Sequence, residues 1–203
     1  MALKNKKTIV FDLDGTLSNF EKIDNQIIDM LYGNSKIVML LDKFLWSINR
    51  FEILKNSMWL LKFRLIIYSI FAGKNIEESL KKYHIEYFTL TYHDIKYNYE
   101  NYLKRLKNKY KIRILSNNMF AKGLEYSGLR VICNTSKRKH IKVFKKYHDM
   151  DYIVGNNLFD DIFTGSMKGI KTIYLGKSEF VKIFSTMDFR DIEELTKYLL
   201  KSD

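Results

Sequence analysis

At 203 residues, with 46% hydrophobic and 15% aromatic side chains, the chain can bury one core, with or without a large insertion, which argues against disorder. Its single cysteine, Cys133, excludes an internal disulfide, and the four histidines add no ligand spacing for a structural zinc cluster. The 35 basic and 23 acidic residues leave a net charge of +12, which suits an anionic partner but also follows the lysine-, asparagine- and isoleucine-rich, proline-free composition of an AT-rich coding sequence.

The first apolar run, TIVFD at Thr8–Asp12, reads as a buried strand leading into FDLDGTL (11–17). It is too short for a secretory leader, so a cytoplasmic protein is expected. From about residue 19 to 108 the pattern is helical, and residues 37–73 are its most apolar part. Charges at Asp42, Lys43, Arg50, Glu52, Lys55, Lys62 and Arg64 interrupt that part. No charge-free span reaches the ~20 residues of a membrane-crossing helix, so a small helical bundle is expected. Trp46, Trp59, Phe63 and Tyr68 alternate with basic residues, which fits peripheral contact with a membrane or with a lipid-linked substrate.

Beyond the insertion, short apolar runs alternate with helical patterns. Strands are predicted at 112–115, 130–133, 152–154 and 172–175, and helices at about 119–127, 139–148, 158–168 and 190–201. This is the signature of an α/β fold with a doubly wound parallel sheet. The expected division is a core of residues 1–18 and 109–203, with 19–108 inserted as a helical unit. Ligands of such sheets sit at the carboxyl ends of the strands, where Asp12, Ser116 and Asn156 fall. The basic stretches 104–113 and 136–146 read as exposed helix sides, so nucleic acid is not expected as a partner. Glycine-rich dinucleotide and P-loop patterns are absent.

FDLDGTL is the most specific stretch. Two aspartates at the end of a buried strand cost desolvation unless they meet a cation or hydrogen-bond donors. Gly15 permits a turn that brings the Asp14 carbonyl beside Asp12, and the N–H groups of that turn, with Thr16, can face an anion. This suits phosphoryl transfer, in which Asp12 attacks phosphorus and Asp14 serves as acid and then as base.

With RILSNN (113–118) and VGNNLFDDIFTGSMKGIKTIYL (154–175), these residues resemble the haloacid dehalogenase superfamily of phosphohydrolases, motif by motif and in order. The resemblance implies that Ser116 and Asn117 hold the phosphate. It also implies that a lysine neutralises the phosphoaspartate, with Lys139 the choice and Lys137 and Lys142 the alternatives. Magnesium would be held by Asp12, by the backbone carbonyl of Asp14 and by motif four, where Asn156 stands at the usual first acid position, Asp161 at the second, and Asp160 is an extra acid. An amide oxygen remains a competent ligand for a hard cation, so a working site is favoured over a degenerate one. By the same resemblance, dehalogenating members lack an acid two residues after the nucleophile, so Asp14 points to a phosphate ester as the small-molecule substrate. The long interval between Asp12 and Ser116 makes 19–108 a helical cap of the first type, loosely like that of phosphoserine-phosphatase-like members. Arg50, Arg64 and His84 are its candidates for substrate contact. A phosphomutase, or a catalytically weakened binder of anions or nucleic acid, are the alternative readings.

Overall fold

The structure is a computed structural model that describes residues 6–49, 58–126, 128–133 and 149–201, with side chains described over these residues except 46–49 and 58–60. The lysines 137, 139 and 142, the predicted helix at 139–148, Arg50, and the side chains of Trp46 and Trp59 lie outside this description.

Seven strands form one sheet: β1 (Thr8–Asp12), β2 (Lys111–Ser116), β3 (Glu125–Tyr126), β4 (Leu129–Cys133), β5 (Tyr152–Gly155), β6 (Lys171–Leu175) and β7 (Met187–Phe189). Their spatial order is β3-β4-β2-β1-β5-β6-β7, and every pairing is parallel except β3 with β4. All five residues of β1 are buried, as the uninterrupted apolar run requires of a central strand covered on both faces. Ile9 and Phe11 join the main hydrophobic cluster on one face, while Val10 packs with Leu115, Met150 and Ile153 on the other. Asp12 pairs with Leu115 and Phe11 with Val154, so β1, β2 and β5 end side by side.

The insertion supplies α1 (Phe20–Tyr32), α2 (Lys36–Asn49), α3 (Met58–Phe71) and α4 (Ile76–Asn98), followed by α5 (Glu100–Lys109). Asn19 caps α1 by accepting from the Lys22 N–H at 3.1 Å, and Asn75 caps α4 by accepting from Glu78 at 3.0 Å. α4 packs against α1 and α3, whereas α5 packs on β2 and on the C-terminal helix Ile192–Lys201. The largest hydrophobic cluster runs without a break from Ile9 and Phe11 in the sheet to Leu65, Tyr68 and Tyr83 in the insertion. Within the insertion Arg64 is ion-paired to Asp24 and lies 3.7 Å from Asp42, while Tyr83 and Tyr68 donate to those two acids at 2.6 Å each. Arg64, a candidate for substrate contact, is thus committed to a buried ion pair.

The helix predicted at 119–127 does not form. Asn118 caps a single 3-10 turn, Met119–Ala121, by accepting from Phe120 at 3.0 Å. Gly123 (φ 90°) then turns the chain out of helical geometry into β3, which pairs antiparallel with β4. The helix predicted at 158–168 is a π-helical turn, Leu158–Phe163, running into Thr164–Ser166. Among the described residues no helix is long and apolar enough to cross a membrane.

Candidate active site

The site lies where β1, β2 and β5 end. Leaving β1, the chain folds into a tight loop: the Leu13 carbonyl accepts from Leu17 and Ser18, and the Gly15 N–H donates to the Ser18 carbonyl at 2.7 Å. Gly15 has φ 85°, which an L side chain rarely adopts. A Cβ there would come within 2.3 Å of Asn156 Nδ2, so the amide of the β5 loop lies directly over the β1 loop.

Asp12 and Asp14 are both buried. The Thr16 hydroxyl donates to Asp12 Oδ2 at 3.4 Å. Ser116 Oγ donates to Asp14 Oδ2 at 2.9 Å and itself accepts from the Asn118 N–H at 2.9 Å. The other Asp14 oxygen accepts from the Tyr87 hydroxyl at 2.5 Å. Burial raises the Asp14 carboxyl above the usual carboxylate range; the hydrogen bonds from Tyr87 and Ser116 oppose this without cancelling it.

On the β5 side, Asn157 Oδ1 accepts from the N–H groups of Phe159 and Asp160 at 2.9 Å each, which opens the π-helical turn. Asp161 is fully buried and accepts from the Asn157 N–H at 3.1 Å. Gly155 leaves room for it, since a Cβ there would lie 2.2 Å from Asp161 Oδ2. Asp160 accepts from Asn117 Nδ2 at 3.3 Å, tying the end of β2 to the β5 loop. The Asn156 amide oxygen is buried without a hydrogen-bond partner. Asp12, Asp14, Thr16, Ser116, Asn117, Asn156, Asp160 and Asp161, read from three separate stretches of sequence, are thus drawn to one edge of the sheet. Among the described residues no three side chains of His, Cys, Asp or Glu gather as a cation site. A cation here would draw on the Asn156 amide and a backbone carbonyl as well as on carboxylates.

Tyr87 is the residue that the sequence analysis missed. It projects from α4, where Ser79, Tyr83, Tyr87, Thr91 and Ile95 are buried at four-residue intervals. That spacing is a legible signal of an inward helix face, but it does not identify what the hydroxyls reach. Phe20 and Phe120 pack around Tyr87, and Tyr83 stacks on it at 6.5 Å between ring centroids. His84, a cap candidate, is exposed with its ring 5.8 Å from Phe120. Cys133 is half-buried at the end of β4, and its thiol donates to the Asn118 carbonyl at 3.0 Å.

No family model matches the chain, and a search of curated proteins finds no relative in sequence. Solved structures are similar over nearly the whole chain. The HAD-hydrolase YfnB from Bacillus subtilis, described as bound to magnesium, has a TM-score of 0.65 at 18% identity, covering 97% of this chain and 100% of that one. A HAD phosphatase from Thermococcus onnurineus has a TM-score of 0.62 at 18% identity, covering 95% and 97%. A 2-haloacid dehalogenase from Pseudomonas syringae pv. Tomato DC3000 has a TM-score of 0.55 at 15% identity, covering 97% and 99%.

Proposed function

From the haloacid dehalogenase-like fold of this chain, we propose a magnesium-dependent phosphatase that hydrolyses a small phosphate monoester through an aspartyl phosphate on Asp12. The observation that carries the reading is Asp14. A buried acid with a raised pKa, two residues beyond a buried carboxylate, supplies the proton that an alkoxide leaving group needs. Dehalogenation, the activity of some structural neighbours, expels halide and needs no such acid.

In the first step an Asp12 oxygen bonds to phosphorus, the phosphorus–oxygen bond to the ester breaks, and the departing oxygen takes the Asp14 proton. In the second, the Asp14 carboxylate takes a proton from water as the water oxygen attacks phosphorus, freeing phosphate and restoring Asp12. Ser116 and Asn117, with the N–H groups and hydroxyl of the Gly15–Thr16 turn, hold the phosphoryl oxygens. Lys139 is assigned to neutralise the phosphoaspartate. Residues 19–98, with α1 to α4, would form the cap that excludes water, whereas α5 packs on the core.

The donor set fits magnesium, because the buried Asn156 oxygen lacks a partner and lies over the glycine turn that carries Asp12 and Asp14. Asp12, the Asp14 carbonyl and Asn156 would hold the ion, with Asp160 and Asp161 adding negative charge beside it. When bound, the ion would neutralise the phosphoryl oxygens.

Phosphate release from an aryl phosphate, with and without Mg²⁺, tests the reading in wild type and Asp12→Asn. Metal-dependent release abolished by the substitution is the expected result. Release unaffected by Asp12→Asn, or halide release from a 2-haloacid, would refute it. Transfer to an added alcohol in place of water would make the protein a phosphotransferase.

A further inference from the structure

α2 and α3 differ from the other helices of the insertion in what they show to solvent. Their inner sides carry Val38 and Asp42 on one helix and Leu61, Arg64, Leu65 and Tyr68 on the other. A helix of a water-soluble bundle is polar on its opposite side. Here the opposite side presents Ile37, Leu40 and Phe44 on α2 and Phe63, Ile70 and Phe71 on α3, all exposed, with Leu40 at 72%. The exposed charges on the two described helices are Lys36, Lys43 and Lys62, all positive. α3 contains no acidic residue, and the one acid of α2, Asp42, is turned inward to Tyr68 and Arg64.

Among the described residues of α2 and α3, an outer surface of aliphatic and aromatic side chains whose exposed charges are ammonium groups complements an interface that is apolar inside and anionic at its rim. Lysine stems lie along apolar surface while their heads reach outward to anionic groups. A protein or nucleic-acid partner would be met by acceptors and amides as well as by ammonium groups. Neither described helix is long and apolar enough to cross a bilayer, so a helix embedded in the interface plane is the geometry left.

We propose that the outer sides of α2 and α3 dock on an anionic lipid surface, with the lysines at the headgroups and Ile37, Leu40, Phe44, Phe63, Ile70 and Phe71 at the acyl boundary. The inference is independent of the phosphatase reading, because it uses none of the residues assigned there to the phosphoryl group or the metal.

Flotation of the full chain with vesicles tests it, comparing phosphatidylcholine alone with phosphatidylcholine containing about 30% phosphatidylglycerol. Binding to the anionic vesicles at least about tenfold tighter than to the neutral ones is expected, weakened as salt rises toward about 0.5 M. Leu40→Asp/Phe63→Asp should lower that binding about tenfold or more with an unchanged circular dichroism spectrum. Lys36→Glu/Lys43→Glu/Lys62→Glu, which leaves the apolar residues in place, should abolish the preference for the anionic lipid. Wild-type protein that floats with neither vesicle, or equally with both, overturns the proposal. So does a Leu40→Asp/Phe63→Asp variant that binds like wild type, self-association in solution that this variant abolishes, or binding to a polyanionic RNA without binding to vesicles.

Discussion

Arg64 is the deepest cation among the described residues of the insertion, 2% exposed beside an Asp24 that is 0% exposed, and its replacement by methionine tests how the helices are held. Burial works against its charge, but Asp24 more than compensates and holds the guanidinium protonated. Arg64→Met removes the cation from two carboxylates at once, since Asp42 lies 3.7 Å from Arg64 Nε. Breaking a buried pair from one side costs about 3–5 kcal/mol. For a chain of this size each kcal/mol is worth about 2–4 °C, so Tm should fall by about 6–20 °C. The double variant Arg64→Met/Asp24→Leu removes both charges of the closer pair, leaves Asp42 held by the Tyr68 hydroxyl, and leaves the Tyr83 hydroxyl without its acceptor, a loss of about 1–2 kcal/mol. It should therefore recover half or more of the single variant's loss. Urea unfolding followed by far-ultraviolet circular dichroism at neutral pH measures all three proteins. A single variant that loses less than about 1 kcal/mol, or a double variant less stable than the single, would refute the argument.

Asn156→Asp adds a carboxylate over the Gly15 turn and should tighten Mg²⁺ binding on the order of tenfold, about 1.4 kcal/mol, by titration calorimetry; unchanged affinity would remove Asn156 from the donor set. Gly155→Ala places a Cβ 2.2 Å from Asp161 Oδ2, and the carboxylate must leave its bond to the Asn157 N–H. A loss on the order of 1–3 kcal/mol by urea unfolding is expected, with weaker Mg²⁺ binding. Arg113 and then Lys111 hold the Asp149 carboxyl down at about 2, against 3.8 for a free one, with the two Arg113 hydrogen bonds at 2.8 and 2.9 Å. Its folded-state pKa is depressed, so its stabilisation is present above about pH 4 and lost as pH falls toward 2. Because the side chain is 54% exposed, Asp149→Asn should cost below about 1 kcal/mol at pH 7 and nothing near pH 2, in paired unfolding curves.

Elements buried on both faces were the ones the sequence announced. The β1, β5 and β6 runs are buried along nearly their whole length because neighbouring layers cover both faces, β2 is broken only by the half-buried Arg113, and the observed limits of all four fall within a residue of those predicted. β7 carries no such pattern, because its three residues are an edge strand with half-exposed or exposed side chains. The stretch after β2 misled because Phe120, Ala121 and Leu124 fall at helical spacing, whereas Asn118 and Gly123 decide the backbone. Asp12, Asp14, Ser116 and Asn156 were legible because strand ends converge wherever strands run parallel. The Tyr87–Asp14 and Arg64–Asp24 contacts were not, because each joins residues of separate helices or loops whose crossing no local period encodes.

The strand at the centre of the sheet is also made before the other six. On the ribosome β1 emerges long before either neighbour, since β2 begins at Lys111 and β5 at Tyr152. At typical synthesis rates that wait is on the order of ten seconds, with both edges of TIVFD unpaired. Exposed apolar strands recruit foreign edges unless charges flank them. Lys6 and Lys7 stand before this one, Asp12 closes it, and Asp14 follows. The aspartates at its end therefore guard the nascent segment against mispairing well before the sheet around it exists.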